Sequence, residues 1–234
     1  IKKIAQFSVK AQAKVSKTTL SNVVGILPGK SKPDEVVLYS AHYDHLGYND
    51  GSLNPKGGNP GRIHNGADDN GSGTVTLLEL AAWLAAEREK HPEKFKRGII
   101  FCWWTGEELG LIGSAQYAKN PLIPFKQVSA YVNLDMVGRL KNNRLIVQGL
   151  GTSTIWKKLI EKRNVAGGFS LKLQDDPYQP TDITSIYPKG VPSICLFTGL
   201  HKDYHKPTDD PDTLNYEGME RLALFTGHLL MDLA

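Results

Sequence analysis

Several hallmarks of specialised protein classes are missing from this sequence. No uninterrupted apolar run approaches the roughly 20 residues that a membrane-spanning helix needs, and we find no internal repeat and no low-complexity segment. Only two cysteines are present, Cys102 and Cys195, and they say little about the redox compartment. Each lies in an apolar run typical of a strand, which favours buried free thiols, although a disulfide stays open as the alternative.

Charge of one sign is also scarce. The 28 lysines and arginines are interspersed with 24 aspartates and glutamates, for a net charge of +4. The only dense basic run, residues 94–97, is short and typical of a solvated face before a strand. We therefore expect no nucleic-acid partner, because such binding depends on basic residues clustered on one surface.

The remaining composition is that of an ordinary globular protein, with 40% hydrophobic and 22% charged residues. A length of 234 residues allows one large or two small domains. No linker or shift of composition divides the chain, so we expect residues 1–234 to form a single domain. The chain begins at Ile1 without an initiator methionine and shows no signal peptide, and we expect it to be a fragment of a longer precursor.

Apolar runs alternate along the chain with amphipathic segments. Residues 36–41 and 97–105 are continuous apolar runs, the mark of strands that are buried on both faces. Further strands are predicted over residues 4–16, 20–27, 130–134, 144–148, 169–173 and 192–197. Helices are predicted over residues 74–89, 111–118, 154–163 and 216–233. Buried strands that alternate with helices indicate an α/β fold, a three-layer sandwich whose mixed, mostly parallel central sheet carries helices on both faces.

An acidic turn, Gly66-Ala67-Asp68-Asp69-Asn70-Gly71-Ser72-Gly73, precedes the first predicted helix. Glycine, asparagine and aspartate together mark a loop, and loops on a rigid scaffold are where functional residues concentrate. Taken alone, the acidic pair is more readily explained as a helix cap, because carboxylates accept hydrogen bonds from the first turn of a helix. The rest of the chain reverses that interpretation.

Residues of metal-ligand type follow the predicted strands directly or lie in the loops between them. In open α/β sheets, ligand sites gather beyond the carboxyl ends of the strands, so these side chains are expected at one edge. Converging carboxylates repel one another, and a bound cation relieves that repulsion. The residues concerned are His42, Asp69, Glu107, Glu108, Asp135 and His205.

The ligand types indicate the metal. Imidazole combined with carboxylate suits zinc or a similar transition metal, whereas calcium and magnesium prefer oxygen alone. Five ligands and a spare carboxylate are too many for one tetrahedral zinc. They suit two metals that share one bridging carboxylate.

At this point the sequence resembles a known family, the co-catalytic di-zinc exopeptidases typified by secreted bacterial (leucyl-type) aminopeptidases. Glutamate carboxypeptidase and the glutaminyl cyclases are relatives. Any one of the motifs is weak, but the ordered set spans positions 41 to 205 and is highly specific. The motifs are Ala41-His42-Tyr43-Asp44, the acidic turn, Glu107-Glu108-Leu109-Gly110-Leu111-Ile112-Gly113-Ser114, Asn133-Leu134-Asp135-Met136 and Tyr204-His205.

The resemblance implies two Zn²⁺ per chain and a ligand set for each. Asp69 is expected to bridge both ions. His42 and Asp135 are expected to complete the ligand set of one zinc ion, and Glu108 and His205 that of the other.

The resemblance also implies residues that act beside the metals. Glu107 is the expected general base of a water activated by the two zinc ions, and Tyr204 the expected hydrogen-bond donor to the oxyanion. Asp44 is expected to orient His42, since carboxylate–histidine–metal arrangements are common. Asp68 is expected to shape the loop rather than bind metal.

Some residues depart from the family pattern or have no role in it. Many relatives carry Ser-Asp-His before the last strand, where this chain has Thr181-Asp182-Ile183, so substrate recognition in that loop is expected to differ. His45 and His64 flank the site loop and are interpreted as non-ligands. The remaining histidines, His91, His201 and His228, are interpreted as surface or structural residues.

The expected function is metal-dependent hydrolysis of N-terminal residues from peptides that have a free N-terminus. A carboxypeptidase or dipeptidase of the same fold is the first alternative, and it would need an arginine-rich pocket, whereas only Arg62 and Arg139 lie near the motifs. A glutaminyl cyclase-like acyltransferase works with one zinc, which all five ligand positions argue against. A non-catalytic binding ectodomain would be expected to lose the base Glu107. The resemblance also implies an extracytoplasmic, periplasmic or secreted, location.

Overall fold

A seven-stranded mixed sheet lies at the centre of the fold. The computed structural model of the protein describes residue 10, residues 17–48 and residues 61–234. In this part of the chain a second, two-stranded sheet of β3 and β4 lies beside the main one. The strands are β1 (Val23–Leu27), β2 (Lys32–His42), β3 (Gly47–Tyr48), β4 (Ile63–His64), β5 (Arg97–Trp104), β6 (Val128–Leu134), β7 (Arg144–Gln148), β8 (Ser170–Gln174) and β9 (Ser193–Phe197).

The strand order of the main sheet is β1-β5-β2-β6-β9-β7-β8. The four central strands, β5, β2, β6 and β9, run parallel to one another. β1 is antiparallel to β5 at one edge, and β7 is antiparallel to β9 near the other, with β8 parallel to β7. The parallel strands carry the continuous apolar runs, as expected for strands covered on both faces.

Helices cover both faces of the sheet, which confirms the predicted three-layer sandwich. Alternate side chains of a strand point to opposite faces, so Val37 and Tyr39 of β2 belong to one core and Leu38 to the other. The helices α1, α3 and α5 contribute to the first core, and α2 and α4 to the second. The helices are α1 (Gly73–Lys90), α2 (Ile112–Lys119), α3 (Ile155–Gly167), α4 (Ile183–Ile186) and α5 (Tyr216–Leu233).

The predicted elements agree with the structure wherever an apolar pattern was long or uninterrupted. The bounds of β7 and α5 agree with the prediction, whereas α3 continues to Gly167 beyond the predicted residue 163. The four-residue α4 was not predicted, because so short a helix has no periodicity to detect. The strand predicted over residues 4–16 falls outside the described residues, apart from residue 10.

The two cysteines agree with the expectation from their surroundings. Cys102 and Cys195 are buried and free, as the apolar runs around them suggested. Among the described residues, no helix is both long enough and apolar enough to cross a membrane.

Candidate active site

Three neighbouring strands deliver the candidate residues to one edge of the sheet. β2 ends at His42, β6 ends one residue before Asp135, and β5 ends three residues before Glu107. Because β2 lies between β5 and β6 and all three are parallel, their carboxyl ends meet at the same place. The loop that contains Asp69 and the segment that contains His205 complete the cluster.

A first group of side chains surrounds the buried His42 ring, which is 1% exposed. Its Nε2 lies 3.4 Å from Asp69 Oδ1, 3.6 Å from Asp135 Oδ1 and 4.0 Å from Glu107 Oε2. These separations exceed the usual N–H···O hydrogen-bond length of about 2.9 Å. The carboxylate oxygens therefore surround the imidazole nitrogen at distances typical of ligand atoms that share a central ion.

A second group lies around His205. Its Nε2 is 3.0 Å from Asp69 Oδ2 and 3.1 Å from Glu108 Oε2. The two oxygens of Asp69 therefore face different groups, with Oδ1 toward His42 and Oδ2 toward His205. This is the disposition that a bridging carboxylate requires.

His45 also lies beside the second group, a contact that the sequence did not predict. Its Nδ1 lies 2.7 Å from Glu108 Oε1 and 3.9 Å from Asp69 Oδ2. The only sequence signal was its position three residues after His42. Spacing of that kind does not orient a side chain in a loop, so the contact could not be inferred from the sequence.

The acidic turn is held rigidly in place by its neighbours. The backbone N–H groups of Asp68 and Asp69 donate to Asp209 Oδ2 at 3.0 and 3.1 Å. The Asn70 side chain donates to the Leu134 carbonyl at 2.9 Å, which ties the turn to β6. Gly66 enters the turn at φ 62°, where a Cβ would lie 2.3 Å from the Asp69 carbonyl oxygen, so only glycine fits there.

Asp68 and His201 support this turn from behind. Asp68 Oδ1 accepts hydrogen bonds from the Gly138 N–H at 2.6 Å and from Ser72 Oγ at 3.0 Å. His201 Nε2 lies 3.0 Å from Asp68 Oδ2. Both residues therefore act on the shape of the loop, as the sequence suggested.

Asp44 supports the site differently from the expectation that its carboxylate orients His42. The nearer partner of His42 Nδ1 is the backbone carbonyl of Asp44 at 3.1 Å, while the carboxylate Oδ1 lies at 3.7 Å. That carboxylate instead accepts the backbone N–H groups of Glu107 at 3.1 Å and Glu108 at 3.3 Å. Asp44 thus fixes the turn that presents both glutamates.

The crowding of buried carboxyl groups perturbs their protonation. Burial raises the pKa of Glu107 to about 9, against the opposing field of His42. Burial also raises the pKa of Asp135. Burial alone would lower the pKa of His205, but hydrogen bonds to Asp69 and Glu108 raise it to about 10. Like charges at this density favour a bound cation.

The donor set fits zinc. The candidate ligands form two neighbouring groups of three residues, called triads. Within each triad the donor atoms lie within 4.8 Å of one another. His205 contacts the second triad. Zinc bound tetrahedrally at 2.0–2.1 Å places its ligand atoms about 3.3 Å apart, close to the separations around His42 and His205. Geometry alone also allows Glu107 to serve as a ligand of the first triad. The triads are His42, Glu107, Asp135 and His45, Asp69, Glu108.

A cavity of about 390 Å³ opens onto this cluster. Tyr204 forms part of its wall, and its ring stacks on His205 with centroids 3.8 Å apart. Thr181 also lines the cavity, whereas Asp182 is fully buried and burial raises its pKa to about 7. The loop that departs from the family pattern therefore borders the place where a substrate would lie.

The profile of Peptidase family M28 matches residues 22–229. This chain belongs to peptidase family M28. The matched region holds every candidate residue, so the cluster lies within the M28 part of the chain.

Known M28-like proteins resemble the chain in sequence and in fold. A probable leucine aminopeptidase of Trichophyton verrucosum is 34% identical over 247 residues, which cover 99% of this chain and 62% of that protein. A zinc aminopeptidase from Bacillus subtilis superposes with a TM-score of 0.71 at 24% identity, covering 91% of this chain and 49% of that one. The glutaminyl cyclase of Porphyromonas gingivalis has a TM-score of 0.70 at 18% identity, covering 91% and 77%. The chain spans less than two thirds of the length of the curated relatives that it matches first.

The contacts of Asp44 predict the effect of Asp44→Asn. The NH₂ group of the new amide cannot accept a hydrogen bond, so one of the two backbone N–H groups loses its acceptor. The turn that carries Glu107 and Glu108 should therefore loosen. Zinc affinity, measured by competition with a chelator, should fall by about 10- to 100-fold, the usual cost of losing a group that supports metal ligands. Asp34→Asn, at an exposed carboxylate, is the control and should bind zinc like the parent protein. Equal affinity in both variants would contradict this role.

Proposed function

We propose that this chain is a zinc aminopeptidase domain that removes the N-terminal residue from peptides. The observation that carries the proposal is the division of Asp69 between two donor groups beside an unshared carboxyl, Glu107, all in one cavity. The leucine aminopeptidase name of the 34% identical relative supports the same activity. The zinc named for the structurally similar Bacillus subtilis enzyme supports the metal.

Two zinc sites follow from the two groups. His42 and Asp135 would hold one ion with Asp69 Oδ1, and Glu108 and His205 would hold the other with Asp69 Oδ2. When bound, the ions would supply Lewis-acid polarisation of the substrate carbonyl and a lowered pKa for a water nucleophile.

Glu107 is the proposed proton carrier. Its carboxyl faces the cavity, and Oε2 stays 4.0 Å from His42 Nε2, the longest separation in the first group. Accepting a proton requires the ionised carboxylate, and bound cations beside Glu107 would favour that form. Glu107 would therefore take a proton from the attacking water and donate it to the leaving amine.

Tyr204 is proposed to assist at the substrate carbonyl. The stacking of its ring on His205 fixes the phenol at the cavity wall. Burial raises its pKa, so the hydroxyl keeps its proton and can donate a hydrogen bond to the developing oxyanion.

The charges around the cavity favour an aminopeptidase over a carboxypeptidase. Carboxylates beside the metals attract a free α-ammonium group of the substrate. Arg139, a candidate for binding a C-terminal carboxylate, lies 2.9 Å from Asp203 Oδ2 and 3.9 Å from Asp209 Oδ1. Its charge is therefore already paired within the protein.

A panel of substrates tests the proposed reaction. With zinc, the chain should hydrolyse aminoacyl p-nitroanilides and short peptides with a free N-terminus, and it should leave N-acetylated copies intact. Chelation should abolish the activity and added zinc should restore it. Hydrolysis of the N-acetylated peptides from the C-terminal end would instead establish a carboxypeptidase. Ammonia release from N-terminal glutamine without peptide cleavage would establish a cyclase.

Zinc content tests the bridging role of Asp69. The parent protein should retain two zinc ions per chain after dialysis, as measured by elemental analysis. Asp69→Ala should lose both, because both groups lose a shared ligand, whereas His42→Ala should retain one. Asp34→Ala, at an exposed position, should retain two. A single ion in the parent protein at saturating zinc would refute the two-metal arrangement.

The two adjacent glutamates are predicted to fail in different ways. Glu107→Gln preserves size and hydrogen bonding but cannot accept a proton, so kcat should fall by about 10²- to 10⁴-fold with both metals retained. Glu108→Gln should weaken one metal site, and excess zinc should restore part of the activity. Parallel zinc titrations and kinetics distinguish the two. If Glu107→Gln loses metal while Glu108→Gln loses only turnover, the assignments are reversed.

A further inference from the structure

The end of the catalytic cavity remote from the metal cluster is built by the outer face of β7 and β8. Ile146 pairs with Lys172 in the strand register, and Gln148 pairs with Gln174. All four side chains line the cavity. Because strand side chains alternate, the intervening Val147 points to the opposite face and is buried in the core. This wall is therefore fixed by the sheet itself.

Three glutamines form a connected amide cluster at this end. Gln148, only 7% exposed, donates from Nε2 to Gln174 Oε1 at 3.2 Å and to Gln179 Oε1 at 3.1 Å. The amide groups of Gln174 and Gln179 thus keep N–H donors, of which Gln179 uses one on the Asp176 carbonyl at 3.3 Å. Among the described residues, the cluster therefore keeps both amide N–H groups and amide oxygens that a ligand can pair with.

Lys172 adds a positive charge to this amide-lined end. Among the described residues that line the cavity, it is the only basic one apart from the histidines of the metal cluster. Within the described part of the chain it forms no salt bridge. Its ammonium group can therefore form an ion pair with a ligand.

Apolar side chains line the space between the two ends. Met136 follows the metal-site Asp135 directly, and Ile146 and Phe197 pair across β7 and β9. All three line the cavity. A bound side chain would thus place an aliphatic stem against them and its tip among the donors beyond.

We propose that this cavity selects peptides whose first residue has a hydrogen-bond-accepting tip, with glutamate preferred over glutamine and both over leucine, and that Lys172 and Gln174 determine this preference. The inference rests on the proposed aminopeptidase function and adds the substrate class. A charge-assisted hydrogen bond is stronger than a neutral one, and a site built to pair with a polar group disfavours an analogue that lacks it. Because Lys172 is exposed, the expected preference for glutamate over leucine is about tenfold.

Charge reversal at Lys172 tests the proposal by kinetics. The ratio of kcat/KM for glutamyl to leucyl p-nitroanilide should be about ten in the zinc-loaded parent protein. In Lys172→Glu it should fall below one, with improved cleavage of the lysyl substrate. Gln174→Leu should lower the ratio of glutaminyl to leucyl kcat/KM. Lys157→Glu, an equal charge change at an exposed position that does not line the cavity, should preserve the parent ratio.

Binding of free amino acids separates this proposal from the activity itself. By isothermal titration, L-glutamate should bind the zinc-loaded protein more tightly than L-leucine, and Lys172→Glu should abolish the difference. If no aminoacyl substrate is cleaved but L-glutamate still binds more tightly than L-leucine, the proposed aminopeptidase function is refuted and the proposed selectivity is supported. If leucine binds or reacts as well as glutamate, or if Lys172→Glu leaves both ratios unchanged, the selectivity is overturned.

Discussion

The burial of mutually repelling carboxylates at the end of a parallel sheet is the constraint on which this structure depends. Asp69, Glu107 and Asp135 lie around a histidine that is 1% exposed. Such a cluster persists only if the surrounding backbone holds it, because moving the carboxylates apart would lower their electrostatic repulsion. Two further carboxylates do this by accepting backbone N–H groups, Asp209 at the acidic turn and Asp44 at the glutamate turn. The supporting carboxylates thus fix the two turns that carry Asp69, Glu107 and Glu108.

Sheet topology explains why the site lies where it does. The strand β2 is central, and its neighbours β5 and β6 run in the same direction, so three strand ends supply ligand types within a few ångströms. The reversal of direction at β7 then places an antiparallel pair beside the cluster. On its other side β7 pairs with β8, and side chains of β7 and β8 form the polar wall of the cavity. One sheet therefore supplies the candidate metal-binding residues from the ends of its parallel strands and one wall of the cavity from β7 and β8.

The parts that could be predicted from the sequence are those encoded by local pattern. Continuous apolar runs located the buried strands, and a polar residue directly after such a run, as at His42, indicated the site edge. Strand order and the antiparallel direction of β7 depend on pairing between distant segments, which periodicity does not encode. His45 was missed because loop conformation decides where its ring points. The amide cluster was missed because Gln148 and Gln174 lie on different strands, and their pairing is not encoded by local pattern.

Fold alone does not determine the chemistry of such a cavity, since the glutaminyl cyclase of Porphyromonas gingivalis resembles this chain with a TM-score of 0.70. The proposed chemistry of this chain therefore rests on the charges that line its own cavity. Carboxylates crowd one end, and a lysine with amide donors occupies the other. A substrate with an α-ammonium group and an acceptor tip can align with this field in one direction only. Under the proposed function, the reversed orientation would place the α-ammonium group beside Lys172 and a carboxylate tip beside the acidic cluster, so repulsion between like charges would disfavour it.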